Sequence, residues 1–143
     1  MVDVHKQAVV SYTCQQMFDL VDDIERYPEF LPWCASSKVV SRTDNEVVGE
    51  LVLKAKGMTQ SFTTRNHFIV GKSVTMQLKE GPFKSFDGDW CFKARHDGGC
   101  QVSLDLSFEF ANPMLAMMFG SVFNQVANKL MEAFLARADE VYA

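Results

Sequence analysis

The residues that could perform acid–base or nucleophilic chemistry are scattered along this chain. The three histidines, His5, His67 and His96, have no carboxylate at a spacing typical of a catalytic site. Ser61 lacks the G-x-S-x-G context that exposes a nucleophilic serine on a sharp turn. Because no acid and base stand as a pair, the sequence predicts that the chain is not an enzyme.

Metal and phosphate binding are also disfavoured. An acidic cluster over residues 19–29 matches no calcium-binding loop, and a solvated helix face explains it more simply. Gly98-Gly99 is typical of a hairpin turn rather than a phosphate-binding loop. No C-x-x-C pair occurs, so we expect free thiols in a reducing compartment at Cys14, Cys34, Cys91 and Cys100. We therefore predict no metal ion and no cofactor.

Length and charge limit the remaining possibilities. The chain has 143 residues, which fits a single domain over residues 1–143. Its net charge of -4 argues against DNA as a partner and against binding to phosphates through bulk charge. The chain starts with a strand-like pattern rather than a signal peptide, and polar residues interrupt its longest apolar region, residues 114–131. We expect a cytoplasmic protein without a transmembrane segment.

The hydrophobic pattern predicts a strand, two short helices, about six strands and one long helix. After a strand over residues 1–11, Thr13 and Gln16 form a capping-box pattern that opens a helix over residues 14–22. Asn112-Pro113 begins a final helix that runs to about Tyr142. The other predicted elements are a helical turn over 24–31 and strands over 39–42, 47–56, 58–70, 73–79 and 100–110. A further strand after the turn at 80–82 holds Phe86, Trp90 and Phe92.

This order predicts an α+β fold in which a curved antiparallel sheet wraps around one long C-terminal helix. A gap between sheet and helix would form an apolar pocket for a hydrophobic small molecule. A close-packed core without a cavity is the alternative, since aromatic residues and methionines at such spacings usually fill cores. The candidate ligand-binding residues are Phe30, Trp33, Phe62, Phe68, Met76, Phe86, Trp90, Phe92, Leu106, Phe108, Met118, Val122 and Val126.

Five ordered motifs carry a resemblance to a known family. They are the segment Tyr-Pro-Glu-Phe-Leu-Pro-Trp-Cys at 27–34, Ser-Phe-Thr-Thr-Arg-Asn at 61–66, Gly-Pro-Phe-Lys at 81–84, Phe-Glu-Phe at 108–110, and the ending at 133–142. Together they closely resemble the coenzyme Q-binding branch of the START-like superfamily, also called the polyketide cyclase/dehydrase and lipid transport family. The resemblance runs nearly end to end. It implies the helix-grip fold and a lipid cavity.

The resemblance implies two activities. Mitochondrial members bind ubiquinone and support respiration without catalysing a reaction, which makes a quinone or related lipid our first expectation for the ligand. Bacterial members are ribosome-association toxins that bind the large ribosomal subunit and block its joining to the small one, and a small antitoxin protein is then a further partner. That activity is the alternative prediction.

A partner surface would use residues outside the pocket. The candidates are Tyr27, Pro28, Lys54, Lys56 and Arg65, of which the three cations come from adjacent predicted strands. Two alternatives remain open. Tyr27 and Pro28 can instead pack inward at a tight bend, and Arg65 can pair with a glutamate on a neighbouring strand.

Overall fold

The computed structural model describes residues 1–55 and 57–143, which form seven strands, two α-helices and one 3₁₀ helix. The α-helices are α1, Cys14–Asp22, and α2, Pro113–Tyr142, and the 3₁₀ helix is Ile24–Glu29. The strands are β1, Val2–Val10; β2, Cys34–Arg42; β3, Glu46–Ala55; β4, Met58–Ile69; β5, Ser73–Glu80; β6, Phe83–Ala94; and β7, Cys100–Phe110.

The seven strands form one antiparallel sheet in the order β1-β7-β6-β5-β4-β3-β2. Strands β2 to β7 follow one another as hairpins, and β1 is placed beside β7. Helix α2 packs against one face of the sheet, as its contacts with β1 and β7 show. The predicted α+β helix-grip fold is confirmed.

Local signals in the sequence set the beginnings of both α-helices. The backbone N–H of Gln16 donates to Thr13 Oγ1 at 3.1 Å, and the Thr13 N–H donates to Gln16 Oε1 at 2.9 Å, which completes the predicted capping box. At α2 the Leu115 N–H donates to Asn112 Oδ1 at 2.9 Å, and Pro113 is the first helical residue. These bonds satisfy backbone donors that helix ends otherwise leave unpaired.

The apolar stripe of α2 faces the sheet. Its buried residues are Phe119, Phe123, Ala127, Met131, Phe134 and Ala138. Val141, near the end of the helix, is exposed. Tyr142 takes the inward position, with its ring centroid 5.7 Å from that of Tyr12 and its hydroxyl donating to the Gln16 carbonyl at 2.9 Å. Along the described residues, no helix is both long and apolar enough to cross a membrane.

Several strand boundaries differ from the sequence prediction. Strand β2 starts at Cys34 rather than at residue 39, because two register shifts against β3 interrupt the alternation that the sequence pattern needs. Val70, the predicted end of the strand over 58–70, is exposed and lies beyond β4, which ends at Ile69. Lys56, the predicted end of the third strand, lies outside the described residues.

Candidate functional site: an apolar cavity beneath the long helix

A cavity lies between the inner face of the sheet and helix α2. Its volume is about 70 Å³. Three parts of the molecule line the cavity: the 3₁₀ helix with the turn before β2, the inner faces of β3 to β7, and the middle of α2. The lining residues are Ile24, Tyr27, Trp33, Gly49, Leu51, Phe62, Thr64, Asn66, Met76, Phe86, Trp90, Leu106, Phe123, Val126, Ala127, Leu130 and Phe134. A mostly apolar lining with few polar groups is typical of small-molecule sites.

The structure brings together seven of the thirteen residues that the sequence analysis proposed as a ligand site. These are Trp33, Phe62, Met76, Phe86, Trp90, Leu106 and Val126. The other six lie outside this lining: Phe30, Phe68, Phe92, Phe108, Met118 and Val122. No ligand contact is established for either group.

Most of the six pack among other side chains. Phe68 and Phe92 both lie with ring centroids 6.0 Å from that of Phe18, which belongs to α1. Phe108 is fully buried with its centroid 4.7 Å from that of Phe123. Alternation along a strand identified these residues as inward-facing. It could not show which part of the inner face the helices cover.

Two polar residues in the cavity were missed by the sequence analysis. Thr64 and Asn66 are buried and line it from β4. The signal was present, because residues 62, 64, 66 and 68 must share one face of a strand. Phe62 and Phe68 on that face were named as candidates, whereas the two polar residues between them were not.

Asn66 has an unusual environment for a buried amide. Its side chain is 7% exposed, and its Oδ1 atom has no hydrogen-bond partner within the described structure. Buried polar side-chain atoms are nearly always paired, so this oxygen marks a position where a bound molecule or water belongs.

Tyr27 faces the cavity rather than a partner surface. Its ring packs edge-on against Phe30 and Phe134, with centroids 6.1 and 5.6 Å away, and its hydroxyl donates to the Val21 carbonyl. Burial, assisted by the nearby negative charge of Asp22, raises the pKa of Tyr27 well above its usual range. Since Tyr27 is the one ionisable side chain in the described lining, the cavity is uncharged at neutral pH.

The structure thus places the Tyr27 ring inward, as in the inward-packing alternative, and not on an exposed docking surface. Pro28 is exposed, within the 3₁₀ helix. The proline ring fixes its φ at about −65°, a value that suits the helical conformation.

Arg137 of α2 fixes the 3₁₀ helix against α2. Its guanidinium donates to Glu29 Oε1 at 2.7 Å and to Glu140 Oε1 at 2.7 Å, and it lies 5.0 Å from the centre of the Phe30 ring. The Arg137 side chain is only 12% exposed. Ile24 and Tyr27, which belong to the same 3₁₀ helix, are cavity residues, so this contact holds one wall of the site.

Replacing Arg137 by glutamine should lower the free energy of unfolding by about 1–2 kcal/mol, because two ion pairs and a cation–π contact are lost together. Urea denaturation measures the effect. Arg26→Gln is the matched control, since Arg26 forms two ion pairs at the exposed surface and should cost less than about 0.5 kcal/mol. Equal effects of the two substitutions would show that Arg137 does not secure the wall.

The buried cysteines supply no nucleophile. Burial raises the pKa of Cys34 to about 11 and that of Cys100 to about 12. Both therefore remain protonated at neutral pH, and the thiolate is the reactive form. Among the residues that the structure describes, no three histidine, cysteine or acidic side chains are grouped so that they could hold a metal ion.

The cationic patch that the sequence analysis proposed is not continuous. Arg65 of β4 lies opposite Val48 of β3. Lys54 lies six positions from Val48 along β3, so it is about 20 Å from Arg65 along the strand direction. Arg65 forms an ion pair with Glu46, with Nε and Oε1 3.2 Å apart. The alternative in which Arg65 pairs with a glutamate on a neighbouring strand is confirmed. Lys56 lies outside the described residues.

One part of the outer sheet face is strongly acidic. The cross-strand rows Asp3–Ser107–Asp87 and His5–Asp105–Asp89 run side by side over β1, β7 and β6. His5 is hydrogen-bonded to Asp105. This face would repel nucleic-acid phosphates.

A different surface combines cations with exposed apolar residues. The Phe92 N–H donates to the Lys72 carbonyl at 2.8 Å, and this bond joins the β4–β5 turn to the end of β6. The two segments expose Ile69 (61%) and Val70 (58%) and carry three cations, of which Arg95 lies with its Nε atom 3.9 Å from Asp97 Oδ1. We name this the turn surface, formed by Ile69, Val70, Lys72, Lys93 and Arg95.

Comparison with known proteins agrees with the fold. The chain matches the family model described as polyketide cyclase/dehydrase and lipid transport over residues 10–135. It is 40% identical over 139 residues to the "Ribosome association toxin RatA" of Pseudomonas aeruginosa, which covers 97% of this chain and 96% of that protein. It is 24% identical to the mitochondrial "Coenzyme Q-binding protein COQ10 homolog B" of Xenopus laevis, with 99% of this chain and 59% of that protein covered.

Solved structures share the architecture. A START superfamily protein from Mycobacterium smegmatis superimposes with a TM-score of 0.76 at 17% identity, covering 97% of this chain and 98% of that one. The Zhui aromatase/cyclase from Streptomyces sp. R1128 gives a TM-score of 0.82 at 14% identity, covering 96% and 93%. These likenesses establish a START-like helix-grip fold. The chain belongs to the polyketide cyclase/dehydrase and lipid transport family, as the sequence motifs indicated.

Proposed function

We propose that this chain acts as one domain that associates with the ribosome. The observation that carries the proposal is the 40% identity, over nearly the full length of both chains, to a protein named for ribosome association. The sequence analysis placed ubiquinone binding first. The relative named for coenzyme Q binding is much more distant, at 24% identity, so the order of the two functions is reversed.

The turn surface is our candidate for the contact with the ribosome. Lys72, Lys93 and Arg95 can neutralise phosphates, and the exposed Ile69 and Val70 can pack against sugar or base edges. The acidic rows over β1, β7 and β6 exclude that part of the sheet as an RNA contact. We propose that this contact is made with the large subunit and hinders its joining to the small one. That activity would place the chain in the cytoplasm, and an antitoxin partner remains a prediction of the family resemblance.

Sedimentation with purified ribosomal particles tests this proposal. The protein is mixed with large subunits, small subunits or joined ribosomes and centrifuged through a sucrose cushion at several salt concentrations. We expect the protein in the pellet with large subunits, and progressively less of it as salt rises, since phosphate contacts release counterions. Absence from every pellet at low salt would reject ribosome association.

A second function, binding of an apolar ligand without catalysis, is favoured by the cavity itself. Trp90, Phe86 and Phe123 provide flat apolar walls, and the only polar side chains in the described lining besides Tyr27 are neutral. A smaller pocket shares Trp33, Phe123 and Val126 with the cavity and adds Leu53, Lys54, Phe119 and Val122. We propose that a ring-sized head occupies the cavity and that a hydrocarbon tail leaves through the smaller pocket. A quinone or a related lipid has this shape.

Native mass spectrometry of protein purified from its host, followed by organic extraction, tests ligand binding. Ala127→Leu adds a larger side chain inside the cavity, whereas Ala136→Leu makes the same change at an exposed position of α2. We expect a bound mass in the wild type and in Ala136→Leu, and its loss in Ala127→Leu. An empty wild-type protein that also takes up no added quinone or lipid would reject this function.

A further inference from the structure

The unpaired side-chain oxygen of Asn66 constrains what the cavity can hold. Asn66 lies on an interior strand of the sheet, in register with Val47 of β3 and Met76 of β5, and its side chain is buried. Its Oδ1 atom lacks a hydrogen-bond donor within the described structure. In this orientation of the amide, the buried oxygen needs a donor. A buried acceptor without one lowers stability, and a ligand that supplies a donor recovers that free energy.

The electrostatics of the lining exclude charged ligand heads. Tyr27 is the single ionisable side chain in the described lining, and its hydroxyl is already bonded to the Val21 carbonyl. A carboxylate or phosphate inside would therefore be buried without a cation beside it, which is strongly unfavourable. Thr64, on the same strand, offers one further neutral hydroxyl.

We propose that the cavity selects neutral ligands that carry a hydroxyl group, and that this hydroxyl donates a hydrogen bond to Asn66 Oδ1. A phenol or a hydroquinone meets both conditions. A quinone of the same shape only accepts hydrogen bonds and leaves the Asn66 oxygen unpaired. The cavity therefore distinguishes the reduced from the oxidised form of such a ring. This inference rests on the proposed ligand-binding function.

Three small probes with the same hydrocarbon body separate the contributions of shape and hydrogen bonding. In 4-butylphenol the polar group donates and accepts, in 4-butylanisole it only accepts, and butylbenzene has none. Both tryptophans of the chain, Trp33 and Trp90, line the cavity, so their fluorescence reports binding. We expect 4-butylphenol to bind about tenfold more tightly than 4-butylanisole. We expect the charged 4-butylbenzoate to bind on the order of a hundredfold more weakly than the phenol.

Matched variants test whether the Asn66 side chain is responsible for the preference for 4-butylphenol over 4-butylanisole. Asn66→Leu should bind the phenol and the anisole equally while still binding butylbenzene, and Thr64→Val should keep the preference for the phenol. Thermal unfolding checks that each variant is folded, and Asn66→Val replaces Asn66→Leu if the larger side chain prevents folding.

The outcomes separate this inference from the function on which it rests. Equal wild-type affinities for phenol and anisole, or a preference that survives in Asn66→Leu, would overturn the role of Asn66 and leave apolar binding intact. Benzoate binding as tight as phenol binding would overturn the selection of neutral ligands. If none of the probes binds, the proposed ligand-binding function fails together with the inference.

Discussion

Replacing Phe134 by alanine is expected to lower the free energy of unfolding by about 3–5 kcal/mol. The Phe134 side chain is 2% exposed, and its ring centroid lies 5.1 Å from Trp90, 5.2 Å from Phe30 and 5.6 Å from Tyr27. One ring therefore joins α2 to β6 and to the region around the 3₁₀ helix. Small domains are stable by only about 5–15 kcal/mol, so this variant should be close to unfolding.

Urea denaturation with linear extrapolation measures the change. Phe134→Leu keeps most of the volume and should cost clearly less than Phe134→Ala. Val141→Ala truncates an exposed residue of the same helix and should change stability by no more than about 0.5 kcal/mol. A loss below about 1 kcal/mol in Phe134→Ala would mean that this ring does not join the three elements.

Reversing two charges on the turn surface is expected to weaken binding to large ribosomal subunits by about 10- to 100-fold at moderate salt. The variant is Lys72→Glu with Lys93→Glu, which removes two candidate phosphate contacts and introduces repulsion. The dependence of log affinity on log salt should also become shallower by about two units. Sedimentation over a range of salt concentrations measures both quantities.

Two single charge reversals serve as controls. Lys129→Glu alters the same kind of charge on an exposed position of α2 and should leave affinity nearly unchanged. Lys54→Glu tests the surface that the sequence analysis proposed. If Lys54→Glu weakens binding more than the double variant does, the turn surface is the wrong contact and the earlier candidate is supported.

The sequence predicted the elements well where local chemistry determines them. Thr13 with Gln16 and Asn112 with Pro113 define helix starts through their own hydrogen bonds and dihedral angles, so no distant contact is needed. Strand alternation likewise identified the inner face of β6 and β7. The family motifs indicated the fold, which the structure confirms.

Which residues line the cavity and which form the turn surface depends on contacts between segments that are distant in sequence. The sequence pattern does not show these contacts. Phe108 and Trp90 both alternate inward, but only Trp90 borders the open space, because the position of Phe123 on α2 decides which part of the sheet is covered. Lys72 and Lys93 are distant in sequence and come together only through the pairing of β5 with β6. Alternation along β4 also places Asn66 on the inner face. It was missed because the candidate residues were chosen only from the apolar side chains on that face.

The two proposed functions use different parts of the molecule. Strand β4 has 12 residues and spans roughly 35 Å, with the turn surface at its Ile69 end. The smaller pocket, which contains Lys54, lies toward the opposite end, where Lys54 pairs with Thr59. A ligand in the cavity would therefore not occupy the surface that we assign to the ribosome. The chain can carry both activities.

The rate at which purified ribosomal subunits join, followed by light scattering, tests ribosome association most directly. Large subunits incubated with this protein before mixing should join small subunits more slowly, with a maximal effect near one protein per subunit. The double variant Lys72→Glu with Lys93→Glu should need a much higher concentration for the same slowing. An unchanged joining rate at saturating wild-type protein would contradict the proposal that this chain binds the large subunit and hinders joining.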